Sequence, residues 1–264
     1  MSRQKAMITG ASGAVGSVLA RFLQEQDWEV VAWDRTAVSL TDLPDIRSYL
    51  EFEFPDVLFH LATDSESTGI ENESWVVNVA WSENLARLCR QLGIQFVFTS
   101  SVMVFTNDAN GPFTVEAEPD AAEGYGYEKR TAEQRVLKVN PRAVIARLGW
   151  QIGDAPGSNN MIDFFARQME EQGEIRASRQ WYPATSFLAD TAVSLTRLSN
   201  NGRGLYLVDA NERWNFYEIA TALNELHGRP WRIIPTDDFV YDQRMIDGRS
   251  HMPSLRKRLS TLPS

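Results

Sequence analysis

Tyr125 and Lys129 stand four positions apart within Glu123 to Val139, a stretch with helical spacing, so both fall on one helix face. A free phenol titrates near about 10 and is a poor acid or base at neutral pH. An ammonium beside it stabilises the phenolate and lowers that value. The pair therefore predicts a proton-transfer device. Ser101 closes the apolar run Gln95 to Ser101, which reads as a strand. Strand C-termini are where parallel sheets bind ligands, and a hydroxyl there can orient a substrate oxygen. A Tyr-x-x-x-Lys pair alone arises by chance on solvated helices. A strand-end serine upstream of it is much harder to obtain by accident.

A second group binds rather than reacts. Thr9-Gly10-Ala11-Ser12-Gly13-Ala14-Val15-Gly16 spaces three glycines between a short apolar run, Ala6 to Thr9, and a helical stretch, Gly13 to Gln26. One glycine permits the tight turn, one lets backbone approach a pyrophosphate, and one lets the helix pack close to the sheet. The free N–H groups of Ser12, Ala14, Val15 and their neighbours would face the phosphates at the positive end of the helix dipole. Asp34 follows the next apolar run, Trp28 to Trp33. Its carboxylate can accept from the hydroxyls of an adenosine ribose. Arg35 could instead pair with a 2′-phosphate. The reading is NAD or NADP, with NAD favoured slightly because Asp34 would repel that phosphate.

Other reactive side chains read as structural. His60 lies inside the apolar run DVLFHLA and is expected to be packed and hydrogen-bonded. His227 and His251 lack metal-ligand spacing, and no metal site is predicted. Cys89, the only cysteine, sits among Leu85, Leu88 and Leu92 as a small core residue. Asp237, Asp238 and Asp242 read as a solvated loop, and Arg256-Lys257-Arg258 as a charge cluster at the end of a short basic helix, Pro253 to Leu259.

The elements that must position these groups alternate. Further strands are expected at Asp56 to Ala62 and Ala143 to Gly149, with a helix from about Ser74 to Leu92. The strands are continuous apolar runs, the mark of burial on both faces in a parallel sheet. This predicts an α/β fold, a Rossmann doubly wound parallel sheet flanked by helices. Residues 1–150 form the dinucleotide-binding domain. Residues 151–264 form a smaller C-terminal substrate-binding lobe, with 187–212 returning to the sheet through a strand at Gly204 to Asp209. In the lobe, Asp154 to Asn160 reads as a loop, Met161 to Gln172 and Asn215 to His227 as helices, and Arg179 to Thr185 as irregular. Trp150, just past a strand end, could stack on a substrate ring or pack in the core.

Bulk properties agree. The chain has 264 residues, 43% hydrophobic and 23% charged, as in ordinary globular proteins. A net charge of -9 argues against nucleic acid as a partner. No apolar run approaches the ~20 residues of a membrane span, and Met1 to Lys5 run into the first strand without a signal peptide, so the cytoplasm is the expected location.

The TGASGAVG loop, the HLA strand end, Asn78 in NVAWSENL, the FTSSVMVF strand and YGYEK together resemble an extended short-chain dehydrogenase/reductase. ARLGWQIG, RQWYPATSFLADTA and GLYLVDANERWNFYEIATAL resemble its dTDP-4-dehydrorhamnose reductase branch. The resemblance implies that Ser101, Tyr125 and Lys129 are catalytic. It places Leu61, Ala62 and Thr63 beside the cofactor, Asn78 behind the nicotinamide, and Lys129 on the nicotinamide ribose. Val102, Met103, Trp150 and Asn160 would line the substrate. The implied activity is reduction of a carbonyl on a sugar-like substrate, most simply a 4-keto sugar nucleotide. The alternatives are a sugar-nucleotide 4-epimerase and a non-catalytic NAD(P)-binding regulatory subunit. A homodimer would be in keeping with the family. The chain departs from the branch at Val102, where an acidic residue is usual. The lack of an acidic pair after Ser101 argues against a 4,6-dehydratase.

Overall fold

Six apolar runs form an all-parallel sheet in a computed structural model that describes residues 3–64, Gly69 and residues 71–263. Met1 and Ser2 lie outside the described residues. The chain begins β1 (Lys5–Thr9), α1 (Ala14–Glu25), β2 (Glu29–Ala32), α2 (Leu43–Glu53) and β3 (Val57–His60). It continues through α3 (Glu73–Trp75), a π-helical segment (Val76–Trp81), α4 (Ser82–Leu92), β4 (Gln95–Ser101), a 3₁₀ turn (Val102–Val104), α5 (Gly124–Val139) and β5 (Val144–Leu148). After β6 (Trp150–Ile152), α6 (Met161–Gln172), β7 (Ile175–Ser178), β8 (Trp181–Tyr182) and β9 (Thr185–Phe187) come α7 (Leu188–Asn201) and β10 (Gly204–Val208). The chain ends with α8 (Phe216–Leu226), β11 (Ile233–Thr236), β12 (Tyr241–Asp242) and two short 3₁₀ turns.

The sheet order is β10-β5-β4-β3-β1-β2. The direction of winding reverses between β1 and β3, which opens a crevice at their C-terminal ends. Strand side chains alternate between the two faces. Ala6, Ile8, Val57, Phe59, Val97, Val144 and Ala146 pack toward α1 and α7. Met7, Leu58, Phe96, Phe98 and Ile145 pack toward the face that carries α4 and α5. Burial on both faces is the physical reason the strands read as unbroken apolar runs. A separate core joins α6, β7, α8 and the C-terminal segment through Phe165, Trp214, Phe216, Leu255 and Leu259.

Several local features differ from the sequence reading. Helix α2 has a weak apolar stripe in the sequence: Ile46 and Leu50 are buried and Tyr49 packs beside them, while Phe52 and Phe54 are exposed. The helix expected from Ser74 to Leu92 is broken by the π-helical segment. Arg179 to Thr185 is not wholly irregular, since it holds β8, which pairs with β12. Asp237, Asp238 and Asp242 are not merely solvated: they pair with Arg179, Arg176 and Arg244. The expected basic helix is a 3₁₀ turn, and Arg258 leaves it to bind Asp190 in the first turn of α7. Among the described residues no helix is long and apolar enough to cross a membrane.

Candidate active site

All six sheet strands are parallel, so the residues after β1, β3 and β4 emerge at one edge. Gly10 follows β1 with φ +70°, and a Cβ there would lie 2.8 Å from the Ala62 nitrogen after β3. The two segments touch only because Gly10 has no side chain. A Cβ on Gly16 would lie 2.1 Å from the Gly10 carbonyl oxygen, so Gly16 presses α1 onto the loop. Gly13 is exposed and caps α1 with no side-chain hydrogen bond, and no acidic residue occupies the first turn. The N–H groups of that turn are left for an anion. This glycine cradle fits a dinucleotide pyrophosphate.

Asp34 is exposed, and its Oδ1 accepts from the Thr36 backbone N–H at 2.8 Å and the Thr36 hydroxyl at 2.6 Å. Those bonds hold its carboxyl below the usual range. The Ala37 N–H adds to this hold, and the carboxylate stays exposed. Arg35 is half-buried beside it.

Helix α5 lies between β4 and β5 in the chain and runs back along the sheet, so its first turns start at the same edge. Gly126 decides how closely it docks. A Cβ there would sit 2.1 Å from the Met103 carbonyl oxygen, so the turn after Ser101 lies directly on the turn bearing Tyr125. The Ser101 hydroxyl accepts the Met103 N–H at 3.1 Å and thus also caps the 3₁₀ turn, while its own proton is free to point outward.

The surroundings of the pair act against the lowering that spacing predicts. Burial and then the Glu128 carboxylate push Tyr125 up to about 12. Lys129 does not offset this. Its ammonium lies 5.6 Å from the tyrosine ring centroid and donates to the Thr99 carbonyl at 3.0 Å. Burial draws Lys129 down to about 8, opposed by Glu133 and Glu128. In this arrangement burial and Glu128 push the phenol up, and the lysine does not draw it down.

Two residues expected at the substrate are placed otherwise. Val102 is only 4% exposed and packs inward. Asn160 is 1% exposed, and its amide is fully used: Oδ1 caps α6 through Ile162 and Asp163, and Nδ2 donates to Ala155 and Ser158. Met103, by contrast, is 54% exposed. Trp150 is half-buried and stacks on Trp181, with centroids 5.8 Å apart and planes 20° apart. Leu61 and Thr63 flank buried Ala62 and are each partly open.

Asn78 stands in the π-helical segment, 1% exposed, and its Nδ2 donates to Glu128 Oε2 at 2.8 Å. Ser74 donates to the same oxygen at 2.7 Å. Sequence reading missed Glu128, Gly126 and the buried partners Glu133 and Arg147. The only local signal was an acidic residue between Tyr125 and Lys129.

Residues 4–244 match the family described as the RmlD substrate binding domain. The chain belongs to this family. It is 26% identical over 242 residues to the dTDP-4-dehydrorhamnose reductase of Mycobacterium tuberculosis strain H37Rv, covering 88% of this chain and 79% of that one. It is 24% identical over 247 residues to the methionine adenosyltransferase 2 subunit beta of Xenopus laevis, covering 86% and 73%. The solved dTDP-4-dehydrorhamnose reductase of Bacillus anthracis strain Ames, in complex with NADP, superimposes with a TM-score of 0.83 at 20% identity over 99% of both chains. The Rossmann architecture expected from the strand pattern is the architecture of that structure.

Proposed function

We propose that this chain reduces a carbonyl of a sugar nucleotide with NADH or NADPH, most simply the 4-keto group of a dTDP-linked deoxy sugar. One observation carries the reading: the glycine cradle, the Ser101 turn and the Tyr125–Lys129 turn of α5 share one edge of the sheet. Membership of the family and likeness to the mycobacterial reductase support the substrate class.

The residues divide the work. Backbone N–H groups from Gly10 to Gly16 hold the pyrophosphate, Asp34 and Arg35 read the adenosine ribose, and Leu61, Ala62 and Thr63 line the crevice. When bound, the dinucleotide supplies the hydride. Ser101 orients the carbonyl oxygen, and Tyr125 delivers its phenolic proton to that oxygen. Lys129 keeps one N–H on the Thr99 carbonyl and has two left for the nicotinamide ribose. Met103 and Trp150 offer apolar surface to the sugar.

Reduction draws on a neutral phenol, the form in which an unperturbed tyrosine already stands at pH 7. A 4-epimerase would use the same groups in both directions. The test is loss of reduced-nicotinamide absorbance on mixing the protein with a dTDP-4-keto-6-deoxy sugar. Turnover with either cofactor supports the reading. Dinucleotide binding without turnover on any keto sugar nucleotide overturns it. That outcome would favour a cofactor-binding regulatory subunit; the chain is also similar to a protein named as a subunit of methionine adenosyltransferase.

A further inference from the structure

His60 closes β3, is fully buried, and has no part in the proton transfer proposed above. Its ring is nonetheless bonded at both nitrogens. Nδ1 lies 2.8 Å from the Thr9 hydroxyl and Nε2 lies 2.9 Å from the Ser82 hydroxyl. The neighbouring bonds assign every proton. Ser82 spends its only hydroxyl proton on the Asn78 carbonyl at 2.9 Å, so it must accept from His60, and Nε2 carries the ring proton. Nδ1 is then an acceptor, and Thr9 donates to it. The Thr9 oxygen in turn accepts the backbone N–H groups of Leu61 at 3.1 Å and Ala62 at 3.2 Å. Burial, and then the Lys129 charge, hold the ring well below its ordinary pKa, in keeping with a neutral tautomer.

The chain of bonds runs on to α5 by two routes. From Ser82 it reaches Asn78, whose Nδ2 donates to Glu128. A second route is main-chain and independent of the imidazole: the His60 carbonyl accepts from the Thr99 hydroxyl at 3.3 Å, and the Thr99 carbonyl accepts from Lys129. Both routes end on adjacent residues of the turn that carries Tyr125. The rings of Phe96 and Phe98 stack beside the imidazole, and Trp81 meets it edge-on, which fixes its plane.

We infer that His60 is a positioning residue: it ties the cofactor-facing backbone at Leu61 and Ala62 to the Tyr125–Lys129 turn of α5. The inference rests on the reductase reading for its kinetic consequences, but not for its hydrogen bonds.

Two substitutions cut the link on opposite sides. In His60→Asn the amide oxygen takes the place of Nδ1, so the Thr9 bond survives and the Ser82 bond is lost. In His60→Gln the amide nitrogen takes the place of Nε2, so the Ser82 bond survives and the Thr9 bond is lost. We expect His60→Asn to lower kcat on the order of tenfold with little change in dinucleotide Kd, and His60→Gln to raise that Kd on the order of tenfold with a smaller loss of kcat. A residue with only a structural role would move both quantities together, in step with lost stability, and that result would overturn the inference. Nitrogen-15 spectra of histidine-labelled wild-type protein give a reading that needs neither variant. A neutral Nε2–H tautomer at pH 7 is expected, and an Nδ1–H tautomer or an imidazolium would overturn the inference. If the wild type turns over no ketone, the reductase reading fails by itself. The inference is then judged by that tautomer and by amide hydrogen exchange. His60→Asn should loosen Asn78 and Glu128 but not Leu61 and Ala62, and His60→Gln the reverse; any other pattern overturns it.

Discussion

Glu133 on α5 and Arg147 on β5 form a buried two-pronged ion pair, with Nε to Oε1 at 2.8 Å and Nη2 to Oε2 at 2.7 Å. Their side chains are 9% and 4% exposed. The pair fastens the helix bearing Tyr125 and Lys129 to the sheet one turn beyond the lysine. Removing one partner of such a pair leaves a buried charge without compensation, which costs about 3–5 kcal/mol. Glu133→Ala should therefore lower unfolding stability by that amount in urea titration. A loss below about 1 kcal/mol would mean that solvent reaches Arg147 readily.

Tyr125→Phe should cut turnover by roughly 10²- to 10⁴-fold, the usual range for a lost general acid. The ring and its packing stay, so dinucleotide affinity measured by calorimetry should barely change. A variant that kept more than half the wild-type rate would remove Tyr125 from the chemistry.

Gly13 and Gly16 should respond differently to a side chain. At Gly13 a Cβ meets only the Gly10 carbonyl oxygen, at 3.3 Å, and φ is an ordinary -73°. Gly13→Val should cost less stability than a side chain at Gly16, yet abolish dinucleotide binding by filling the cradle. Gly16→Ala forces an atom to 2.1 Å from the Gly10 oxygen and should lower the Tm itself. Unchanged NADH and NADPH affinities in Gly13→Val would show that the loop holds no phosphate.

Cofactor choice turns on Asp34 and Arg35. With Oδ1 held by Thr36, Asp34 keeps its negative charge, and in the proposed cofactor pose that charge would face the 2′ position. A modest NADH preference follows. Asp34→Ala should move kcat/KM toward NADPH by freeing Arg35, whose guanidinium suits a phosphate. Arg35→Ala should move it toward NADH. If Asp34→Ala weakened both cofactors equally, the residue would not be reading the 2′ group.

His60 also predicts an acid limit. Its folded pKa lies well below the ordinary 6.5, so below that pH the unfolded chain takes up a proton the folded ring refuses. Stability is then full above about 6.5 and falls as pH drops, with a slope approaching about 1.4 kcal/mol per pH unit. Urea unfolding of wild type and His60→Gln between pH 7 and 5.5 reads the difference. Equal slopes would place the His60 pKa near its unfolded value.

Much of this protein is local in its sequence. Unbroken apolar runs encode buried strands, and the spacing of Gly10, Gly13 and Gly16 announces a tight strand-to-helix turn through the lack of side chains alone. Tyr125 and Lys129 declare a shared helix face by spacing. The capping role of Asn160 and the inward turn of Val102 were not legible. Each depends on which neighbours have already used the polar groups or covered the side chain. The π-helical break at Asn78, the docking of Gly126 on Met103 and the pairing of Glu133 with Arg147 arise only when segments far apart in the chain are pressed together. The shift of the Tyr125 pKa was decided there too. Spacing puts a lysine within reach, but folding removes the water, brings Glu128 alongside and turns the ammonium to Thr99, so that the phenol's pKa is pushed up and not drawn down.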